Sequence, residues 1–349
     1  SPTQPGPVPL AQTEQQKQTA QCEPGKEQWR AQGAPKRGGT LVRAADPVDH
    51  LDFSAPGRQG LAHIAQVYNG LLENRGCYYG DTGLRPVLAK AWEVSPDGLT
   101  YTFKLRDDVK WHNKPPVNGR AFTADDVVWT VGHQLAGGLM KSYWDGATVT
   151  AADPLTVRVS LKQPDADFLA KVGYHQNAVF PREVKEQHKD FKAVAVGTGA
   201  FMLKDFKGVQ ETTLEANPNY WEKGADGKAL PYIDGVRSLV FPDQVGVIAA
   251  LRTGQIDHTG AFGLTKRDAD QMRQSNPGLR YYPQFVLSFQ GLWFNLKKKP
   301  FDNQKVRQAV SLALNREDVF ASLGGPDAAI YASFVPPFLT DFAWPQDKA

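Results

Sequence analysis

The stretch that decides the fold is LRPVLAKAWEVSPDGLTYTFKLRDDVKWHN, residues Leu84–Asn113. Its second half alternates apolar and polar side chains with a period of two, and the apolar set is Leu99, Tyr101, Phe103 and Leu105. Asp97-Gly98, just before this set, is typical of a hairpin turn. The pattern therefore predicts a half-buried antiparallel strand that is entered through a hairpin.

Helices are predicted on both sides of this stretch. Apolar residues recur at helical spacing from Leu61 to Leu72, which predicts an amphipathic helix with one buried face. Downstream, Thr123 stands three residues before Asp126 and just ahead of a run of valines. This spacing is typical of a capping box at the start of a second helix.

The remainder of the chain mixes strand and helix signals. Apolar residues alternate from Leu155 to Leu161, after the turn signal Asp153-Pro154. Strand-like runs follow at GTGAFMLKDF (197–206), TTLEANPNYW (212–221) and VRSLVF (236–241). Two further helices are predicted, one over Gln244–Arg252 closed by Gly254, and one over Val306–Leu314 with Asp302 as its N-cap.

Length and composition narrow the class of protein. A chain of 349 residues exceeds what one core usually organises, so two domains are expected, or three. With 41% hydrophobic and 22% charged residues it is an ordinary globular sequence. A net charge of +3 is too small for a nucleic-acid binder held by phosphate contacts. No apolar run reaches the roughly 18 residues of a membrane span, and the chain begins at Ser1 without a signal segment, so we expect a soluble, already trimmed chain.

The first 34 residues are rich in Gln, Pro, Thr and Lys and lack apolar periodicity. This composition predicts a disordered arm or linker, either a tether to a membrane anchor or a plain tail. Cys22 lies in the arm and Cys77 in the first domain. Either a disulfide joins them, as an oxidising compartment would favour, or they are two unrelated thiols.

Signatures of catalysis and of metal binding are missing from the sequence. It contains no HExxH, GxSxG, GxxxxGK[ST] or paired CxxC motif. Gly197-Thr198-Gly199 begins like a dinucleotide fingerprint, but Met202 occupies the position of the third glycine, so a turn between strands is predicted. No two of the seven histidines are three or four residues apart. We therefore expect no enzyme, no cofactor and no metal site, and we expect surface or hydrogen-bonded histidines.

Aromatic pairs are the most informative side chains. Rings with a polar handle suit a cleft that grips a mid-sized organic ligand, and they also suit a core. For Tyr220-Trp221 core packing is the favoured interpretation, whereas for Tyr143-Trp144 and Trp293 both interpretations stay open.

The order of motifs resembles a known family. NGLLE at Asn69–Glu73, the stretch Leu84–Asn113 and AFTADDVVWT at Ala121–Thr130 are similar to the diagnostic block of the family 5 extracellular solute-binding proteins of ABC transporters, the dipeptide, oligopeptide and nickel-binding group. Four further segments match in the right order: GTGAF (197–201), LEANPNYW (214–221), AALRTGQID (249–257) and FNLKKKPFDNQKVRQAVSLALNRE (294–317).

The resemblance implies an α/β, periplasmic-binding-protein-like fold of type II, cluster C. Such a fold is a two-lobed clamp that closes on its ligand by hinge motion. It places the first lobe at residues 35–70 and 180–285, an inserted subdomain at 71–179, and the beginning of the second lobe at 286–349. Members of the family extend further, so the resemblance implies that the second lobe is largely missing from this chain.

The same resemblance implies a function. We expect an extracytoplasmic substrate-binding subunit of an ABC importer, periplasmic or anchored to the cell surface as a lipoprotein, with its signal peptide removed. It would capture a peptide or another small organic solute by lobe closure and deliver it to a membrane permease. A sensory or adhesive binding protein on the same scaffold is the first alternative, and a hydrolase is a weaker one. Self-association through an uncovered apolar seam is also expected.

Ligand-binding residues are carried over by segment. The loop Pro56–Gly60, the residues after the GQID turn, the residues before FNL and an aromatic of the inserted subdomain line the cleft in relatives. These segments predict ligand contacts at Arg58, Gln59, Gly60, Tyr143, Trp144, Thr259, Gly260, Phe262, Gln290 and Trp293. Arg58 would pair with a ligand carboxylate, and a solvated loop arginine is the alternative.

Overall fold

A computed structural model describes residues 34–55, 64–74, 84–260, 263–280, 292–315 and 318–319. These residues fall into two compact units. The main unit contains the described residues up to 263, and the second unit contains those from 264 onward. Residues 1–33 of the arm, which include Cys22, lie outside the described residues, as do Cys77 and the first three residues of the predicted helix at Leu61. The lobe and subdomain boundaries proposed above stay predictions.

The main unit contains both strands and helices, and the described residues of the second unit contribute helices. The strands of the described ranges are β1 (Thr40–Ala45), β2 (Leu72–Asn74), β3 (Leu84–Pro86), β4 (Ala89–Val94), β5 (Thr100–Leu105), β6 (Ala147–Asp153), β7 (Thr156–Leu161), β8 (Phe201–Phe206), β9 (Glu211–Ala216) and β10 (Gly235–Val240). The helices are α1 (Ala124–Leu135), α2 (Lys141–Trp144), α3 (Phe168–Val172), α4 (Arg182–His188), α5 (Gln244–Arg252), α6 (Lys266–Ser275) and α7 (Gln304–Ala313).

Two four-stranded sheets organise the main unit. The first has the order β1-β10-β9-β8, in which β1 and β10 are parallel and the other neighbours are antiparallel. A parallel bridge between Arg43 and His258 adds a third parallel segment beside β1. The second sheet has the order β4-β5-β7-β6 and is antiparallel throughout, while β2 and β3 form a separate small pair.

The deciding stretch folds as predicted. β4 and β5 pair as an antiparallel hairpin, and Gly98 in the turn between them has a φ of +68°, a value that glycine adopts without strain. Tyr101, Phe103 and Leu105 are buried on one face of β5. The alternation seen in the sequence therefore marks the core face of the second sheet.

α1 confirms the predicted capping box. The Asp126 carboxylate accepts a hydrogen bond from the Thr123 backbone N–H at 2.9 Å, and the Thr123 side chain completes the box. Asp126 is buried and also accepts bonds from Arg120 and from the Trp111 indole. The ion pair between Asp126 and Arg120 therefore stabilises the start of the helix together with the cap. The apolar face of α1 packs on β6 and β7.

The helix predicted over Leu61–Leu72 is wrong beyond Val67. The described part is a single 3-10 turn at Ala65–Val67, after which the chain runs extended into β2. The carbonyl groups that a helix would use accept bonds from distant segments: Val67 O from Gly199 N and Gly70 O from Leu88 N. Apolar side chains at helical spacing are buried here because the chain is surrounded by other segments.

Other predictions hold with small corrections. β7, β8, β10 and α5 are confirmed, and Gly254 after α5 has a φ of +71°. The strand predicted over 212–221 ends at Ala216, because the Asn217 side chain accepts a bond from Asn219 N and turns the chain. The N-cap of α7 is Asn303 and Asp302 is not, since the Asp302 N–H still bonds within the preceding turn to Lys298 O.

The glycine motif GTG forms a close backbone contact with residues 66–67. A Cβ on Gly197 would stand 2.0 Å from Val67 O, and one on Gly199 would stand 2.2 Å from Gln66 O. His112 is fully buried beside the motif, where its Nδ1 accepts from Gly197 N and its Nε2 bonds Gly199 O. Burial lowers the pKa of His112 to about 4, so the ring is neutral at pH 7. The predicted hydrogen-bonded histidine is therefore confirmed, whereas the motif is a bend between α4 and β8 and does not connect two strands.

None of the helices in the described ranges has both the length and the apolar composition of a membrane-spanning segment.

Candidate ligand-binding site

Three parallel segments end at one edge of the first sheet. β1 ends at Ala45, β10 ends at Val240, and the segment bridged to Arg43 continues to Thr259 and Gly260. In open α/β sheets ligands bind outside the carboxyl ends of parallel strands, because the loops that follow those strands leave a crevice there. This edge is therefore the candidate site of the main unit.

Gly260 is held tightly against β1. Its φ is +63°, and a Cβ at this position would stand 1.8 Å from Ala44 O. The backbone of His258 fixes the approach, since Ala44 N donates to His258 O at 3.0 Å. The predicted contact residues Thr259 and Gly260 thus lie at the carboxyl edge, where the backbone passes closer to β1 than any side chain would permit.

Arg43 is a polar residue of this edge that the sequence reasoning missed. Its Nε donates to Ser238 Oγ at 2.9 Å, and its Nη2 lies 3.4 Å from Gln66 Oε1. Burial lowers the pKa of the Arg43 guanidinium. The pKa of His258 is also lowered, first by burial and then by the Arg43 charge. The available signal was a single charged residue within the otherwise apolar strand TLVRAA.

The chain from Leu51 to Ser54 leads towards the predicted cleft loop. Leu51 N donates to Lys192 O at 2.8 Å, and buried Ser54 donates through Oγ to Asp52 Oδ1 at 2.6 Å. Ser54 Oγ also lies 3.0 Å from His133 Nε2. Residues Arg58, Gln59 and Gly60 themselves lie outside the described residues.

Asp52, Ser54 and His133 do not form a catalytic triad. A triad needs the carboxylate on the far nitrogen of the histidine and an accessible hydroxyl. Here the Asp52 carboxylate binds the serine, and Ser54 is only 2% exposed. The pKa of His133 is lowered by burial and by Lys185, with Asp52 acting in the opposite direction. The group therefore fixes the backbone and activates no nucleophile.

Tyr143 and Trp144 separate into two roles. Trp144 is 4% exposed, its Nε1 donates to Asn177 Oδ1 at 2.9 Å, and its ring meets Phe168 edge-on at 5.8 Å. These contacts favour core packing for Trp144. Tyr143 is half-buried and packs against Tyr174, with 5.7 Å between the ring centroids. A ligand contact from Tyr143 stays a prediction.

The remaining predicted contacts are dispersed. Trp293 is 80% exposed and belongs to the second unit, while Phe262 and Gln290 lie outside the described residues. Tyr220 and Trp221 pack on the core of the main unit, as favoured from the sequence, and the Arg106 guanidinium lies 4.1 Å above the Trp221 ring. Within the described residues, no group of three His, Cys, Asp or Glu side chains could hold a metal ion.

Comparisons with known proteins agree on one family. The sequence model described as "Bacterial extracellular solute-binding proteins, family 5 Middle" matches residues 83–349. Heme-binding protein A of Haemophilus influenzae is 31% identical over 285 residues, which is 75% of this chain and 50% of that protein.

Solved structures give the same result. The oligopeptide-binding protein AppA of Bacillus subtilis, in complex with a nonapeptide, has a TM-score of 0.75 and 25% identity over 87% of this chain and 59% of its own. The periplasmic binding protein DppA of Helicobacter pylori, in complex with the peptide STSA, has a TM-score of 0.65 and 28% identity over 82% of this chain and 59% of its own. The chain therefore spans between half and three fifths of the length of these relatives.

Proposed function

From the premise that this chain belongs to family 5 of the bacterial extracellular solute-binding proteins, we propose that it is the extracytoplasmic substrate-binding component of an ABC importer. The resemblance predicted from the sequence, and the α/β periplasmic-binding-protein-like fold that it implied, are confirmed. The proposal adds that the protein captures a peptide or another small organic solute by lobe closure and hands it to a membrane permease.

The observation that carries the proposal is the carboxyl edge of the first sheet. Two residues lie at this edge, where parallel strands end: Gly260, whose backbone packs closely against β1, and Arg43, whose side chain is half-buried. Backbone groups and one arginine suit recognition of carboxylate and amide groups, because a guanidinium offers several N–H donors in a fixed fork. Peptides and related organic acids carry such groups.

Arg43, Thr259, Gly260 and Tyr143 are the described residues of the main unit proposed to contact the ligand. The proposal extends to Arg58, Gln59, Gly60, Phe262, Gln290 and Trp293 by position in the motif order. It assigns the protein no catalytic step, and no resident metal or cofactor enters it. The proposed location is the periplasm or the outer face of the cell membrane, since delivery to a permease requires it.

Two glycine-to-alanine substitutions, one at the candidate site and one away from it, test the proposal. Gly260→Ala introduces a methyl group 1.8 Å from Ala44 O, whereas Gly208→Ala has the same left-handed backbone, with φ of +56°, but nothing within 4 Å of the new Cβ. The two substitutions share the backbone strain, so their difference reports the close approach at the candidate site.

Binding of synthetic dipeptides, tripeptides and nonapeptides to the 349-residue chain is measured by ligand-observed NMR and native mass spectrometry. Because the chain spans only between half and three fifths of the length of its relatives, we expect the wild type and Gly208→Ala to bind a peptide weakly, far above nanomolar dissociation constants, and Gly260→Ala to bind it about tenfold or more weakly still. Equal binding by all three proteins contradicts the placement of the site. Absence of peptide binding contradicts a peptide ligand, and peptide cleavage would favour a hydrolase.

A further inference from the structure

A row of aromatic rings crosses the main unit from its core to its surface. Tyr143 and Tyr174 lie 5.7 Å apart, Tyr174 and His175 lie 4.5 Å apart, and His175 lies 6.5 Å from Phe53, all between ring centroids. Phe53 in turn stacks on Tyr68 at 5.9 Å. We call the outer three residues, Tyr143, Tyr174 and His175, the aromatic row.

The rings differ in exposure, and the outer three are more exposed than the inner two. Phe53 is 1% exposed and Tyr68 is 5% exposed, so the inner end is part of the hydrophobic core. Tyr143 and Tyr174 are half-buried, and His175 is exposed. The outer rings therefore pack on one another and, through His175, on a core ring, and each keeps part of its surface exposed to solvent, where a further ring could pack.

The aromatic row is held in a fixed position. Tyr174 O accepts from Asn177 N at 2.7 Å, and the Asn177 amide bonds both Lys171 O and the Trp144 indole. Asn177 and Trp144 are buried, so this turn cannot relax freely. A ligand group that binds the row would meet rings already ordered, and ordering side chains is one of the main costs of binding.

The row presents neutral ring faces. Partial desolvation of the His175 ring, which packs against Tyr174 and Phe53, lowers its pKa and so favours the uncharged imidazole. The nearby charge of Lys171 is paired with Asp165 at 2.6 Å. Neutral aromatic faces attract the positive edge of another ring, and they offer an anionic group no counter-charge.

The row also borders the chain that leads to the predicted cleft loop. His175 contacts Phe53, and Leu139 N, close to α2 and Tyr143, donates to Ser54 O at 2.7 Å. His175 of the row, and Leu139 four residues before Tyr143, thus both contact the same short segment, residues 53–54. This contact joins the row to the Leu51–Ser54 segment of the candidate site.

We propose that Tyr143, Tyr174 and His175 form a subsite that takes an aromatic ring of the ligand, with Trp144 and Asn177 as its positioning residues. The inference rests on the proposed function and deepens it, because it names a class of ligand side chain. The reason is geometric: the row consists of tilted ring pairs at centroid distances of 4.5–5.7 Å, a spacing that one more ring can continue.

The test compares two probes of nearly equal size, the peptides Ala-Phe-Ala and Ala-cyclohexylalanine-Ala. Both bury a six-membered ring, but only the first has a π face. We expect the wild-type chain to prefer Ala-Phe-Ala by about 2- to 10-fold, since ring pairs contribute that much beyond area. Tyr174→Leu, which removes the ring, is expected to abolish the preference, and Tyr174→Phe, which keeps the ring, to retain it.

Tyr143→Leu provides a second variant if Tyr174→Leu proves poorly folded, and circular dichroism of each variant checks folding. Equal wild-type affinities for the two peptides overturn the aromatic subsite and leave the proposed function intact. A preference that survives both Leu substitutions also overturns it. Binding of Ala-Ala-Ala alone overturns the subsite, and binding of none of the three peptides overturns the subsite and the peptide ligand together.

Discussion

α1 in the main unit and α7 in the second unit begin in the same way. Each has a polar side chain that accepts a backbone N–H at its first turn, Thr123 with Asp126 in one and Asn303 in the other. Each also carries valines at helical spacing. Yet α1 buries Val127 and Val131, whereas α7 buries none of its residues and exposes 86% of Leu312.

The difference shows that amphipathic spacing of apolar residues does not by itself mean that those residues are buried. Spacing puts apolar side chains on one side of a helix, and it does so for α1 and α7 alike. Burial requires another element to cover that side, as β6 and β7 do for α1. The three predictions below test this contrast, in order of decreasing effect.

The largest effect is expected when a charge enters each apolar face. Val131 is 2% exposed, so Val131→Asp would bury a carboxylate without a partner and lower the free energy of unfolding by more than about 4 kcal/mol. Leu312→Asp should change it by no more than about 0.5 kcal/mol, because the side chain is 86% exposed. Urea unfolding followed by circular dichroism measures both. Similar losses for the two variants would contradict the contrast.

The second effect is a dependence of the main unit's unfolding free energy on pH. The folded pKa of His112 is about 4 and its ordinary value is 6.5, so the unfolded chain binds a proton first as the pH falls. Stability supplied by the neutral ring is complete above pH 6.5 and is lost as the pH falls towards 4, by up to about 3 kcal/mol. Unfolding of the main unit should therefore become easier over this window.

His112→Gln is the control for the pH effect. It retains a donor and an acceptor but does not titrate, so its unfolding free energy should depend less steeply on pH between 4 and 6.5 than that of the wild type. His133, His175 and His258, whose pKa values are also lowered, contribute equally to both proteins. An identical pH dependence in the two proteins would contradict the role assigned to His112.

The smallest effect concerns the cap of α7. Asn303→Ala removes the acceptor for Lys305 N and should destabilise the helix by about 1 kcal/mol. Asp302→Ala, one residue earlier, should cost less than about 0.5 kcal/mol, because only its charge near the helix start is lost. Hydrogen exchange of the α7 amides distinguishes them. Faster exchange in Asp302→Ala than in Asn303→Ala would restore the cap predicted from the sequence.

Local patterns predicted well where the physical cause is local. The β4–β5 hairpin, the capping box of α1 and the glycine after α5 each depend on residues a few positions apart. The predicted helix at Leu61–Leu72 failed for the opposite reason. Its carbonyl groups bond Gly199 and Leu88, which are distant in sequence, so apolar spacing alone could not distinguish a helix from a surrounded extended chain.

The candidate site was predictable only in part. Motif order located Thr259 and Gly260, and the structure brings them to the edge where β1 and β10 end. The same reasoning grouped Tyr143 with Trp144, although adjacent residues of a short helix point in different directions. Tyr174 and His175 carried no motif, and only ring contacts reveal them beside Tyr143.

The sequence by itself determined the family, most of the strands and the capping box of α1, because these depend on motif order and on neighbours within a few residues. The tertiary structure alone decided which faces are covered and which polar groups meet. Arg43 and Ser238 are 195 residues apart in the chain and form one hydrogen bond. Such a contact depends on the parallel pairing of β1 with β10, and no local pattern of charge or hydrophobicity encodes it.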